Sequence, residues 1–207
     1  MMAVVSGAAG LLGSCATMSE EQCLVGDWGT KGYQDGAKGY QTSRLDDHAR
    51  ACAKHGVNPN SNAYFSAREE GLRTYCRWEN GFVVGRSGSS YGGVCSPQEE
   101  RDFLPAYEDG RTIHAAESAL SDAESRVSSA AARIRDREDK LDAKERELRQ
   151  EGLSSQQKDR IRERIREVRG ELRAARQDLR QAEADLYHVE IEARAVIRSV
   201  GRRYGVW

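Results

Sequence analysis

Twelve apolar residues of the C-terminal half, Ile161, Ile165, Val168, Leu172, Ala175, Leu179, Ala182, Leu186, Val189, Ala193, Val196 and Val200, follow one another at alternating steps of four and three. That period belongs to a helix whose apolar stripe must be covered by another helix along its whole length. A second seam precedes it: Ile113, Leu120, Val127, Ile134, Leu141 and Leu148 recur every seven residues, with Ala116, Ala123 and Ala130 between them until Arg137 and Lys144 take those places. Gly152-Leu153-Ser154-Ser155 separates the two as a helix stop followed by a serine cap, with Gln157 or Lys158 starting the return. Folding back at residue 153 sets Leu141 against Ile165 and Val168, Ile134 against Leu172 and Ala175, and Leu120 against Leu186 and Val189. The layers match, so the expected structure is an antiparallel hairpin with arms of about 60 to 70 Å. A continuous parallel dimer is the alternative, and it would carry Gly152 in mid-helix.

The rest of the chain is a different polymer. All 5 Cys, all 3 Pro, 16 of 20 Gly and 11 of 14 aromatic residues precede residue 112. A mean hydropathy of -0.75 leaves too little apolar material for one large core. The expected fold is therefore mostly α, a small disulfide-stapled helical head at residues 15–111 followed by the long coiled-coil hairpin at 112–200, with an aromatic tail at 201–207. A net charge of -1 argues against a general nucleic-acid binder. No run reaches the eighteen apolar residues of a transmembrane helix.

Residues 1–14 carry no charge and end at Leu12-Gly13-Ser14-Cys15, which resembles the bacterial lipobox, small residues before a cysteine that is acylated and becomes the mature N-terminus. The expected role of this stretch is a lipoprotein signal, with Cys15 the lipidated residue. A secretory segment carries Lys or Arg at its start, and the first one here is Lys31, so a start upstream is expected. A buried apolar helix is the plain alternative, but three Gly in fourteen residues pack poorly as helix. Ala16 rather than Asp after the cysteine implies, by resemblance to Gram-negative lipoproteins, sorting to the outer membrane.

Setting Cys15 aside leaves Cys23, Cys52, Cys76 and Cys95, an even set suited to two disulfides in an oxidising compartment. Intervals of 28, 23 and 18 residues between them do not fit the short ligand pairs of a zinc site, and no metal or cofactor is expected. Helices are expected at 19–40, 43–55, 60–79 and from 98 onward, with Ser19/Gln22 and Ser43/Asp46 as capping pairs and a loop or short hairpin from Gly81 to Cys95. Of the three patterns open to four cysteines, antiparallel packing of successive helices favours Cys23 with Cys52 and Cys76 with Cys95. A weak threefold repeat runs through the segment: Trp28, Asp35-Gly36 and Tyr40; Tyr64, Glu70-Gly71 and Tyr75; Phe103, Asp109-Gly110 and His114. Each glycine precedes a ring by four residues, which suggests close helix approach with a ring over bare backbone.

The head resembles a known family. Cys23, Gly26-Asp27-Trp28, Asp35-Gly36-x-x-Gly39, Cys52, Tyr64, Gly71, Tyr75-Cys76, Gly81, Gly85, Gly88, Tyr91-Gly92-Gly93-Val94-Cys95 and Phe103-x-x-x-Tyr107-x-x-Gly110 are similar to the bacterial lipoprotein family called domain of unknown function 2799. The resemblance covers residues 19–115 and implies a small, exported, cysteine-stapled lipoprotein domain. It implies no enzymatic activity.

Other constellations are weak. Asp46, Asp47, His48 and His55 read as a solvated charged face, because rings two turns apart stand about 10 Å from each other. Gly85-Arg86-Ser87-Gly88-Ser89-Ser90 lacks the Lys of a phosphate loop and reads as a turn-rich loop. His114 and His188 have no defined partner motif, and a nucleophilic Cys76 gives way to a disulfide. The Arg-rich stretch 133–180 is interleaved with acids and reads as a solvated coiled-coil flank. No catalytic residue is assigned. The expectation is a non-enzymatic, lipid-anchored protein of the outer membrane facing the periplasm, a spacer or protein-interaction module, whose partners are the membrane and an unidentified envelope protein, with homo-oligomerisation through the coiled coil left open. The rivals are a periplasmic enzyme or regulator of a cell-wall enzyme, and a cytosolic helical scaffold.

Overall fold

The computed structural model describes residues 17–205, which fall into two compact units, one up to Gly110 and one from Arg111. Every regular element among the described residues is a helix. Cys15 and the rest of the signal segment, with Val206 and Trp207, lie outside the described residues.

In the first unit, α1 (Glu20–Val25) opens with a capping box, the Ser19 hydroxyl accepting from the Gln22 backbone while the Gln22 side chain accepts from Ser19 N–H. It stops at Gly26, whose φ of 66° is left-handed, so the single helix expected over 19–40 is broken there. Asp27 caps α2 (Trp28–Ala37) through Thr30 N–H. Next come α3 (Arg44–Ala53) and α4 (Ser61–Tyr75), the latter capped by Asn60. Ser43 has helical backbone angles and makes no capping bond, contrary to its reading as a cap.

The expected loop from Gly81 to Cys95 is also corrected. Residues Trp78–Arg86 form α5, and Phe82 and Gly85 are buried on it. Asn80-Gly81 had the chemistry of a turn, but Gly81 serves packing: a Cβ there would lie 2.6 Å from the Phe103 carbonyl oxygen. Gly85 and Arg86 of the supposed turn-rich loop are accordingly helical, and the chain turns at Gly88, where φ is 75°. α6 (Pro97–Leu148) then runs without a break through residue 111, where the composition changes.

Two disulfides close the head, Cys23 to Cys52 and Cys76 to Cys95, with Cα separations of 5.4 and 5.6 Å. Each gathers an apolar cluster. Met18, Trp28, Leu45 and Tyr64 surround the first bridge, and Tyr75, Phe103 and Tyr107 surround the second.

These two clusters belong to two halves built alike. In the first, α2 crosses α4 so closely that a Cβ on Gly71 would sit 2.2 Å from the Tyr33 carbonyl oxygen and 2.6 Å from Ala37 N. In the second, α5 crosses α6 in the same way, and a Cβ on Gly110 would meet the Phe82 carbonyl oxygen at 2.2 Å and Arg86 N at 2.7 Å. Gly32 against Tyr64 likewise matches Gly81 against Phe103. Each half reads cysteine, glycine-notched helix, cysteine, then a helix bearing an aromatic and a glycine. The threefold repeat is therefore corrected to a twofold one. Gly71 and Gly110 are equivalent, whereas Gly36 lies on the partner helix that receives Gly71.

In the second unit, α6 is answered by α7 (Ser155–Tyr204), whose N-terminus carries the capping box Ser154 with Gln157. Ion pairs across the two helices run Glu145 to Arg169, Glu138 to Arg176, Arg137 to Glu171 and Arg133 to Asp178. The residue nearest the end of α6 meets Arg169 and the one furthest from it meets Asp178, which is an antiparallel hairpin within one chain. Ile161, Ile165, Val168, Leu172 and Ala175 are buried on α7, and Ala123 and Ala130 are buried on α6 in the same unit. Arg137, the charge in the α6 seam, is accommodated by its bond to Glu171 at 2.7 Å. α7 continues through Tyr204 and ends at left-handed Gly205, so residues 201–204 of the expected tail are helical.

Candidate functional site

Burial in the head singles out one polar cluster. Asp35 of α2, His48 of α3 and Tyr64 of α4 meet among apolar neighbours, and His48 and Tyr64 are each 0% exposed. Their elements are brought together by the Gly32 and Gly36 notches, which let α2 and α4 touch backbone to backbone, and by the disulfide from α3 back to α1. Inside, Tyr64 donates to Asp35 Oδ2 at 2.8 Å, and the same oxygen lies 2.6 Å from His48 Nε2. The other ring nitrogen, Nδ1, lies 2.7 Å from Thr17 Oγ1.

The proton arrangement follows from these contacts. Asp35 Oδ2 accepts from the Tyr64 hydroxyl and from the Nε2–H, which leaves Nδ1 of a neutral ring to accept from the Thr17 hydroxyl. Burial holds the His48 pKa below the ordinary histidine value against the opposing pull of Asp35, and burial pushes the Tyr64 phenol up. At the edge of the cluster Arg68 donates twice to the Tyr40 carbonyl, at 2.6 and 3.2 Å, while Arg44 lies over the Tyr40 ring.

The sign of the pH response is fixed by that lowered pKa. In the unfolded chain the ring takes up a proton near pH 6.5, but in the folded head it resists until a lower pH. The unfolded state therefore binds more protons in the interval, and stability falls as pH drops below about 6.5. Chemical denaturation of the chain between about pH 7 and pH 5 is expected to show this loss, and His48→Gln to flatten it. An NMR titration placing the His48 ring above the ordinary value would contradict the assignment.

The second half builds the corresponding place without this chemistry. Val84 stands where the matched helix has Asp35, Phe103 where it has Tyr64, and Tyr91 precedes Cys95 by four residues as His48 precedes Cys52. Phe103 stacks among Tyr75, Tyr91 and Tyr107, with ring centroids 4.8 to 6.2 Å apart. Tyr91 donates to Glu100 and accepts from Cys95 N–H, and burial raises its pKa to about 12. Rings and a disulfide thus pack beside this helix crossing. What the first half adds is a buried carboxylate and imidazole that reach Thr17.

Of the residues singled out in the sequence, the structure joins all four head cysteines in bridges, Cys76 among them. His48 is no part of a solvated face, which corrects that reading. Asp47 pairs with Arg44 and Arg50, while the His55 side chain is also withdrawn from solvent, 18% exposed and 3.7 Å from Glu20. His188 packs edge-on to Tyr187 on α7. No group of three metal-ligating side chains occurs among the described residues, and no helix of the described residues is long and apolar enough to cross a membrane. Asp35, Tyr64 and Thr17 were missed as a group because they come from three separated segments. The usable signal was the twofold alignment, in which Asp35 faces a valine.

Residues 27–112 match the model of a family described as a protein of unknown function (DUF2799). The match takes in both glycine-notched helix pairs. No curated protein matches the chain. No solved structure matches it either.

Proposed function

We propose that this chain, whose residues 27–112 match that family, is a non-enzymatic lipid-anchored protein of the bacterial envelope, tethered at Cys15 to the outer membrane and facing the periplasm. The observation that carries the reading is the cysteine economy: four of five cysteines close two bridges in the head, which supports an oxidising compartment, and the fifth follows Leu12-Gly13-Ser14. Two acyl chains give stable anchoring where one is marginal. The hairpin serves as a spacer or an interaction arm. Exposed Tyr187 (63%) and Ile191 (49%) on α7 favour an interaction role, since large apolar side chains at helical spacing suit contact with another protein. The buried cluster favours a structural role over catalysis: the order hydroxyl, imidazole, carboxylate matches that of a nucleophilic triad, but imidazole and carboxylate are both sealed from solvent.

Fractionation tests the anchor. The wild-type chain is expected in the membrane pellet, and Cys15→Ser is expected to release it or leave it unprocessed. Equal retention of both would overturn the reading.

A further inference from the structure

We infer that the head lies directly on the bilayer, with Leu24 and Val25 of α1 presented to its lipid surface. This rests on the lipid anchor proposed at Cys15. Met18 is 3% exposed, packed in the cluster of Cys23, Trp28 and Tyr64, and Thr17 is held to the buried His48 ring at 2.7 Å. The chain is therefore fixed to the head from residue 17 onward. Two peptide steps separate Thr17 from Cys15, a reach of at most about 7 Å. An acylated Cys15 leaves the head no room to stand away from the membrane.

Near that exit the head exposes apolar surface. Leu24 is 63% and Val25 71% exposed, although both belong to a helix that buries Cys23. Met18 and Val25 line one cavity of about 220 Å³, so the exit point and the exposed valine share one patch. Around it stand Glu21, Asp27 and Lys31, with Glu20 one turn before Leu24. Acids outnumber bases here, which suits zwitterionic headgroups and disfavours an anionic surface. Two aliphatic side chains alone would hold a free protein weakly. On a tether this short the contact is intramolecular, and its effective concentration is high.

The duplication gives an independent reason to regard Thr17 as deliberately held. The second half maintains the same helix crossing with Val84 and Phe103, so the crossing does not require Asp35 and His48. Beyond their bonds to each other and to Tyr64, they make the contact to Thr17. We assign His48, oriented by Asp35, as the positioning residue that keeps the tether short.

The test uses the full acylated chain in phosphatidylethanolamine vesicles, with a photoreactive benzoylphenylalanine replacing Leu24 or Val25. Mass analysis reads acylation at Cys15, both disulfides and any phospholipid adduct. Adducts are expected at both positions, reduced in phosphatidylglycerol vesicles. Inserting ten Gly/Ser residues between Ala16 and Thr17 is expected to lower them by about fivefold or more while acylation persists. Acylated, bridged protein without adducts at either position overturns the inference and leaves the anchor standing. Adducts unaffected by the insertion overturn the role given to the short tether. Absence of acyl mass at Cys15 removes the anchor and this inference with it.

Discussion

Gly36→Ala should unfold the head at a markedly lower denaturant concentration, with a loss of about 3 kcal/mol. The added Cβ would lie 2.1 Å from the Arg68 carbonyl oxygen and 2.9 Å from its carbon. That obstacle is helix backbone, which cannot rotate aside as a side-chain tip can. α2 and α4 would have to separate, pulling Asp35 from Tyr64 and reopening the sealed cluster. The better helix propensity of alanine returns only about 1 kcal/mol. Gly170→Ala is the control, because the nearest atom there is the far end of Arg173 at 3.8 Å. It should be neutral or slightly stabilising. Equal effects of the two substitutions in equilibrium unfolding would mean that the notches do not set the helix crossing.

The second large effect is expected in the hairpin. Leu172 is 7% exposed in the seam of α7, between buried Val168 and Ala175. Leu172→Asp removes about 2 kcal/mol of apolar burial and places a carboxylate where its charge loses hydration. A total loss of about 4 kcal/mol or more is expected, seen as early loss of helix by circular dichroism. Glu171 already pairs with Arg137 and Arg164 beside the site, so a new acid there meets an occupied partner set. Gln177→Ala, on the exposed face of the same helix, should change stability by less than about 0.5 kcal/mol. An unchanged melting curve for Leu172→Asp would mean the seam is not buried.

The two units differ in how far their structure is legible in the sequence. The hairpin was legible because its determinants are local and periodic: the steps of four and three give the buried face, and Ser154 with Gln157 gives the restart. In the head, Ser19 with Gln22 was legible for the same reason, whereas Ser43 was not, since a serine before an acid is also compatible with a helical turn. α5 was hidden because Asn80-Gly81 carries turn chemistry, while the backbone of Phe103 is what requires that glycine. Asp35, His48 and Tyr64 were hidden more deeply. Their burial depends on helices brought together by Gly32 and Gly36, and no spacing along the chain expresses such a contact. The twofold repeat could have exposed them, but the acid before Gly36 resembles those before Gly71 and Gly110 and drew the alignment into a false third copy.

A lipid-anchored envelope protein depends most directly on what becomes of Cys15. Intact-mass and N-terminal peptide analysis of the chain purified from bacterial envelopes should find a mature protein beginning at Cys15, bearing a diacylglyceryl group and lacking residues 1–14, with Cys23–Cys52 and Cys76–Cys95 closed. A chain recovered from the same cells with residues 1–14 still attached and an unmodified Cys15 thiol would contradict the lipid anchor.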